Sequence, residues 1–408
     1  MLEGLDTTNW EELTHAYGEA SDVPELIRAL TSKRPKVRKK AQWRLYGNLF
    51  HQHKVYEATA VAVPFFYELL EMPKVKDKAW IIEYLLNLAL GNPKIYLPYG
   101  GPNVEGWKKS LKREKERKGR GEFDRTIMGE EFDKQMQKNL IANITNGIKC
   151  YKAVQKELPN LYPFLEAKNE KIRIMTVYFL AWFRENAETS LEKVRLLRTK
   201  ETSANSIANA IISSALLASY LNETKDKELF EGYLKEEYPI IVRTAAAIGL
   251  ATILKEGVKK EVIATLIDSL LTFSNDKKSK KRLKSKIIFH WKGGDILGYI
   301  SEILSYCGFN QPELVLPPIV KVLGKLNTYQ ALTITHAALN IAFQGKTPKG
   351  NKWTLEEIDK YPLMVLEVLA EEPNLWGKDG SIFVNFSNLL RGWGLPANRE
   401  DLKKFLKK

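Results

Sequence analysis

A helical hairpin that recurs about every 35 residues limits the fold more than any other feature of this sequence. Each hairpin is marked by an apolar residue near the start of its second helix, often followed by a basic one: Val37-Arg38, Val75-Lys76, Ile172-Arg173, Ile207-Ala208, Val242-Arg243, Ile296-Leu297 and Ala331-Leu332. Successive markers are 38, 97, 35, 35, 54 and 35 residues apart. Because one such hairpin cannot bury its apolar face alone, the repeat predicts that neighbouring hairpins stack and share one hydrophobic core.

The residue pattern inside the repeats is helical. Apolar residues recur at spacings of three and four in 22–32, 169–183 and 203–221, and strand patterns are scarce. Prolines at 24, 64, 163 and 318 are predicted to begin first helices. One turn after the markers, where a neighbouring helix must approach closely, stand mostly small residues: Ala41, Ala79, Thr176, Ile211, Ala246, Ile300 and Thr335.

We therefore expect an all-α protein, a right-handed α-solenoid of seven or more hairpins forming a single domain over residues 1–408. A basic insertion over 92–128 and a milder one over 274–290 interrupt the register. Residues 346–408 stay helical but lose the register, which predicts a C-terminal helical cap.

Composition favours a cytoplasmic protein. Apolar residues make up 44% and charged residues 27%, and no window approaches the run of about 18 apolar residues that a membrane span needs. The opening decapeptide MLEGLDTTNW carries acids and no basic residue, unlike a signal or transit peptide. Cys150 and Cys307 lack the CxxC spacing of zinc or redox sites, so we expect both to be buried thiols without a disulfide.

The positive charge is local. The whole chain carries +14, whereas the segments 32–40, 108–120 and 277–286 together carry +19, so the remainder is slightly acidic at −5. Such segments are typical of exposed solubilising loops and equally of a patch that attracts an acidic partner. Within the third segment the candidate residues for a basic patch are Lys277, Lys278, Lys280, Lys281 and Arg282.

Two histidines within three residues make 45–66 (LYGNLFHQHKVYEATAVAVPFF) unusual. His51 and His53 are predicted to follow the end of a helix, with Tyr56 and Glu57 opening the next one. Only Glu57 is near enough in sequence to complete a metal site, so we expect none. A corner between two helices explains the stretch best, and contact with a partner is the alternative.

Recurring arginines and tryptophans are the other candidate binding residues. Arg38, Arg173 and Arg243 occupy the same place in their repeats, where they either brace a neighbouring repeat through an acid or line a phosphate-binding groove. Trp43, Trp80 and Trp182 are predicted on second helices, where they pack between repeats or protrude towards a partner.

Motifs for catalysis are missing from the sequence. It contains no GxSxG or HExxH, no phosphate-binding loop, and no cysteine with a plausible histidine partner. Paired acids such as Glu11-Glu12 occur in polar helical contexts typical of a solvated face. We expect no enzyme activity, no cofactor and no metal.

The segment YPIIVRTAAAIGLATIL (238–254), with its proline, apolar-basic pair and small residues, resembles a HEAT repeat. The match covers roughly residues 20–345, and residues 10–66 resemble the N-terminal part of largely uncharacterised bacterial HEAT-repeat proteins. This resemblance implies a non-catalytic scaffold that binds another protein, here an acidic one, along a concave surface, as an adaptor or an antidote to a toxin. Nucleic-acid binding is the alternative, and a glycosylase-like or lyase-like enzyme is a more distant one.

Overall fold

The computed structural model describes residues 2–98, 100–121, 130–275, 290–326, 328–348, 350–377 and 383–407. Helices dominate these residues, which confirms the all-α prediction, and two very short β-hairpins are added to them. The chain divides into two compact units, Met1–Leu197 and Arg198–Lys408. The third basic segment, 277–286, lies outside the described residues.

The first unit consists of helices and the two hairpins β1–β2 and β3–β4. Its elements are α1 (Gly4–Thr7), β1 (Thr14–His15), β2 (Gly18–Glu19), α2 (Val23–Ala29), α3 (Pro35–Asn48), β3 (Phe50–His51), β4 (Lys54–Val55), α4 (Glu57–Glu71), α5 (Lys78–Leu90), α6 (Val104–Gly119), α7 (Glu130–Lys156), α8 (Glu170–Leu180) and α9 (Ala187–Lys200, which runs into the second unit).

Packing in the first unit centres on α5. Helix α2 lies on α3, α4 lies on α5, and the long helix α7 covers both α4 and α5, while α8 packs on the α5 side. Burial of Phe66, Leu85 and Val154 supplies the apolar core of this arrangement. Tyr67 ties α4 to α7 by donating its hydroxyl to the Val154 carbonyl at 2.9 Å.

Alternate helices contact one another in the second unit. Helix α10 packs on α12, α12 on α14 and α14 on α16, while α13 packs on α15 and α15 on α17. The elements are α10 (Ala204–Tyr220), α11 (Lys227–Gly232), α12 (Ile240–Leu254), α13 (Lys260–Asn275), α14 (Ile296–Cys307), α15 (Pro312–Leu323), α16 (Thr328–Phe343), α17 (Lys360–Glu371), α18 (Val384–Gly392) and α19 (Arg399–Lys407).

The residues one turn after the repeat markers lie inside. All of them are buried except Ala79, which is half-buried. A neighbouring position shows why bulk is excluded there: a Cβ on Gly249 would lie 3.1 Å from the Phe230 ring of α11. Small side chains on the second helices therefore permit the close helix packing that the pattern predicted.

Two details of the predicted repeats are wrong. Val75-Lys76 does not open a helix, because its segment packs against α3 and α5 begins only at Lys78. Of the four prolines, only Pro24 lies in a first turn. Pro64 and Pro318 lie inside their helices because α4 already begins at Glu57, after a cap in which Thr59 accepts from the Tyr56 amide, and α15 begins at Pro312.

The insertion predicted over 92–128 contains a regular helix, α6, packed on α7. Trp107 meets the Tyr151 ring at 6.0 Å, and Glu114 is buried between the guanidinium groups of Arg113 and Arg117 at 3.2 and 3.1 Å. Residues of the second basic segment are thus on a helix whose buried acid is neutralised by its own arginines.

The cysteines lie in different units. Cys150 is buried in α7 and Cys307 is half-buried at the end of α14, and neither forms a disulfide. Burial raises the pKa of the Cys307 thiol to about 12 and that of Cys150 still further. Both are therefore protonated thiols at neutral pH.

Candidate functional site

Helix α3 has one buried side and one exposed, strongly basic side. It begins at Pro35, whose fixed φ suits the first helical position. Its core side presents Arg38, Ala41, Leu45 and Asn48, at the three- and four-residue spacing of one helical face. The helix contains five lysines and arginines and no acid.

The opposite side of α3 is exposed. Lys36, Lys39, Lys40 and Trp43 share this side by their spacing, and the Trp43 side chain is 78% exposed. No ion pair engages the three lysines among the described residues. We call these four residues the α3 face. An uncovered tryptophan beside unpaired cations is typical of a binding surface, since burying it in a partner would gain free energy.

A second basic segment lies against the first. Asp77, the residue before α5, accepts hydrogen bonds from Arg38 Nε at 2.7 Å and from Gln42 Nε2 at 3.0 Å. The exposed Lys74 and Lys76 precede it in the same turn. One carboxylate thus holds together two segments that both read Pro-Lys-Val, at 35–37 and 73–75. Lys74 and Lys76 therefore lie near the start of α3, next to the turn that holds Arg38. They were not among the predicted site residues.

The other end of α3 is held by a polar cluster around Asp22. The Asp22 carboxylate accepts from Arg44 at 2.6 Å and from Asn48 at 2.8 Å, and its other oxygen lies 3.1 Å from His15 Nε2. His15 Nδ1 accepts from the Tyr17 amide at 3.0 Å, so its proton lies on Nε2, facing Asp22. This buried histidine fixes the β1–β2 turn.

The β1–β2 turn presents an exposed aromatic residue at the end of the α3 face. The Tyr17 ring lies over Gly47 of α3, and its hydroxyl is 3.3 Å from His51 Nδ1. The two rings meet edge to face at 5.5 Å. Tyr17 was not predicted, because a two-residue strand gives no periodic signal.

The predicted corner at 45–66 is a β-hairpin. Helix α3 ends at Asn48 and α4 begins at Glu57, as the sequence predicted, and β3 and β4 pair between them. His53 lies in the turn with a φ of 64° and is exposed, and its ring meets that of Phe50 at 5.9 Å. The Glu57 carboxylate accepts from Thr14 at 2.8 Å. Tyr56 is half-buried.

The three predicted tryptophans have different environments. Trp43 is exposed; Trp80 is half-buried and stacks on Tyr84 at 4.8 Å; Trp182 is fully buried, and it follows the end of α8 rather than lying on it. Tyr84 donates to the Leu45 carbonyl at 2.6 Å, and burial raises its pKa well above the ordinary value. Trp80 and Tyr84 therefore stiffen the α3–α5 contact, and Trp43 alone of the three protrudes.

The recurring arginines are engaged within the chain. Each is the fourth residue of its helix. Nη1 of Arg38 donates to two backbone carbonyls in the turn before the helix, those of the residues six and five positions earlier, and Nη1 of Arg173 does the same. Arg243 donates to the Leu234 carbonyl at 3.3 Å and to Asp268 at 3.1 Å. Contact with an acid, as the bracing alternative predicts, is present for Arg38 and Arg243. Lys277, Lys278, Lys280, Lys281 and Arg282 lie outside the described residues.

Metal sites and membrane-spanning helices were also sought among the described residues. Within them, no three His, Cys, Asp or Glu side chains are arranged so that they would hold a metal ion. No helix in those ranges combines the length and apolar composition that crossing a bilayer requires. Comparison with protein-family models and with curated proteins found no match for this chain. The HEAT-repeat relationship therefore stays a prediction.

Proposed function

We propose that this protein is a non-catalytic binding protein that docks another, acidic protein on the α3 face. The observation that carries the proposal is the 78% exposure of Trp43 in a row with Lys36, Lys39 and Lys40. Burying an indole contributes strongly at the centre of an interface, and unpaired lysines around it speed the encounter with an acidic partner. Adaptor and antidote to a toxin are the roles that such binding would serve in the cytoplasm.

The scaffold in this proposal is a HEAT-like α-solenoid. Support comes from the alternating helix contacts of the second unit and from the arginine at the fourth position of α3, α8 and α12. Small-angle X-ray scattering tests the shape. A compact globule of 408 residues has a radius of gyration of about 22 Å, so the proposal requires a clearly larger value. A value near that of the globule would reject the solenoid.

Affinity capture with matched variants tests the binding role. Wild-type protein, Trp43→Ala and Leu196→Ala would be immobilised and exposed to nuclease-treated extract of the native host, and bound proteins identified by mass spectrometry. Leu196 is the control because it is also exposed, at 54%, on another helix. We expect a stoichiometric partner with the wild type and Leu196→Ala that is lost with Trp43→Ala. A partner retained by all three proteins would place the interface elsewhere.

Nucleic acid is the second candidate partner, and one observation favours it. Seven exposed cations with no described ion pair lie in the segment 33–40 and in the turn before Asp77, which joins α3 to α5, namely Lys33, Arg34, Lys36, Lys39, Lys40, Lys74 and Lys76. Phosphate contacts by several of them would make binding fall steeply with salt. Gel shifts of single- and double-stranded DNA and RNA at rising salt test this candidate, and no shift at low salt excludes it.

A further inference from the structure

The charge around α3 changes sign along the helix axis. Lys36, Lys39 and Lys40 lie on its first turns, whereas at its other end the β1–β2 hairpin carries the exposed Glu19 and α4 begins with the exposed Glu57. The first 25 residues contain seven acids and no lysine or arginine. Lys36 and Gly47, which Tyr17 covers, are eleven positions apart on the helix, about 17 Å along its axis.

The acidic end is well defined by contacts. Thr14 pairs with Glu19 across the β1–β2 hairpin, and the Thr14 hydroxyl donates to the Glu57 carboxylate at 2.8 Å. Two exposed carboxylates, Glu19 and Glu57, therefore flank one threonine beside Tyr17. No basic side chain pairs with Glu19 or Glu57 among the described residues.

The aromatic residues lie between the two charged ends. Trp43 occupies the middle of the exposed side of α3, and Tyr17 follows towards the acidic end. A ligand along α3 would thus meet cations first, then exposed aromatic rings, then carboxylates. Order of charge, rather than net charge, distinguishes ligands on such a surface.

We propose that the α3 face binds a polypeptide segment with the order acidic, apolar, basic, its acids over Lys36, Lys39 and Lys40, its apolar residues against Trp43 and Tyr17, and its cations at Glu19 and Glu57. This rests on the proposed function and specifies the partner. Charge complementarity selects a polypeptide, since a nucleic acid carries one charge sign throughout and would be repelled by Glu19 and Glu57.

The character of the cations agrees with this choice. Lysines provide the exposed charge of the α3 face, while Arg38 and Arg44 are held by Asp77 and Asp22. Arginine forms the bidentate contacts that favour phosphate, whereas lysine is a point charge that pairs with carboxylates without fixed geometry.

Fluorescence anisotropy with the full-length protein tests the inference. The probes are a labelled peptide with a run of glutamates, a central Leu-Phe pair and a run of lysines; a peptide of the same composition with its charges interleaved; an all-glutamate peptide with the same Leu-Phe pair; and a single-stranded oligothymidylate. We expect the block peptide to bind at least about tenfold tighter than the interleaved one, which corresponds to about 1.4 kcal/mol.

Two variants locate the bound segment. Trp43→Ala should lower the affinity for the block peptide at least about tenfold, as expected for a residue at the centre of an interface. Glu19→Lys should weaken binding of the block peptide about threefold to tenfold and strengthen binding of the all-glutamate peptide, because it cancels the negative charge of the two carboxylates at that end. Leu196→Ala is the control and should change neither affinity.

The outcomes separate this inference from the proposed function. Equal affinity for block and interleaved peptides, or tighter binding of the all-glutamate peptide, would overturn the ordered segment while leaving an acidic protein partner in place. Binding of the oligothymidylate alone would overturn both and favour nucleic acid. Failure of all four probes to bind would overturn the ordered segment, and the captured partner would then decide the proposed function separately.

Discussion

Helices α3 and α12 begin alike and then differ. Both carry an arginine at the fourth position that donates to the preceding turn and to an acid, Arg38 to Asp77 and Arg243 to Asp268. Beyond it, α12 reads TAAAIGLATIL and is almost wholly buried, whereas α3 carries exposed lysines and Trp43. The shared arginine secures the start of each helix, and the two helices differ in the residues that face outwards.

The largest expected effect is on α12. Ile248→Ala removes a fully buried side chain and should lower the free energy of unfolding by about 2–5 kcal/mol. Urea denaturation followed by circular dichroism measures it. A loss below about 0.5 kcal/mol would show that α12 is not core and would remove the contrast with α3.

Cysteine labelling then tests whether this loss is confined to one unit. Cys150 and Cys307 are protonated thiols in different units, and α12 contacts the helix that ends at Cys307. Because local opening of α12 and α14 would expose the half-buried Cys307 further, Ile248→Ala should accelerate reaction of Cys307 with a thiol reagent and leave that of Cys150 unchanged. Single Cys→Ser variants assign the two rates. Equal acceleration of both thiols would show that the two units open together.

A smaller effect is expected at the shared arginine. Arg38→Ala leaves two carbonyls without their donor and leaves Asp77 with Gln42 alone, so it should cost about 1–3 kcal/mol. Arg243→Ala should cost about 0.5–1 kcal/mol, since half of the Asp268 side chain is exposed and solvent screens its charge. Thermal denaturation of both variants, with Arg38→Lys as the charge-preserving control, measures the difference. The reverse order would mean that the arginines do not play the same part.

The smallest effect on stability is expected at Trp43. Trp43→Ala should change the free energy of unfolding by less than about 0.5 kcal/mol, since the side chain is 78% exposed. It should nevertheless abolish capture of the partner. A destabilisation of several kcal/mol would instead assign Trp43 to packing and would make any loss of binding a consequence of unfolding.

Periodicity predicted what depends on neighbours along one helix. Ala41, Thr176 and Ala246 are buried as expected, because a 3.6-residue period reports directly which side of a helix faces inwards. The ends of α3 and α4 were likewise predicted, since capping and turn residues act locally.

Contacts between distant segments could not be predicted in the same way. Lys74 and Lys76 come near the start of α3 only because Asp77 binds Arg38 and Gln42, and a single sequence does not show that pairing. Tyr17 reaches Gly47 through a hairpin too short for any alternation of residues. Trp80 and Trp182 differ in burial because of what packs on them.

The double hydrogen bond to Asp77 also affects the entropy of binding. By fixing α3 and α5 at one oxygen atom, it sets the backbone positions of two lysine-bearing segments before any ligand arrives. A ligand would therefore have to restrict only side-chain rotamers, at about 0.5–1.5 kcal/mol for each immobilised lysine, rather than order two loops. The surface is preorganised by a single aspartate that the ligand itself need never touch.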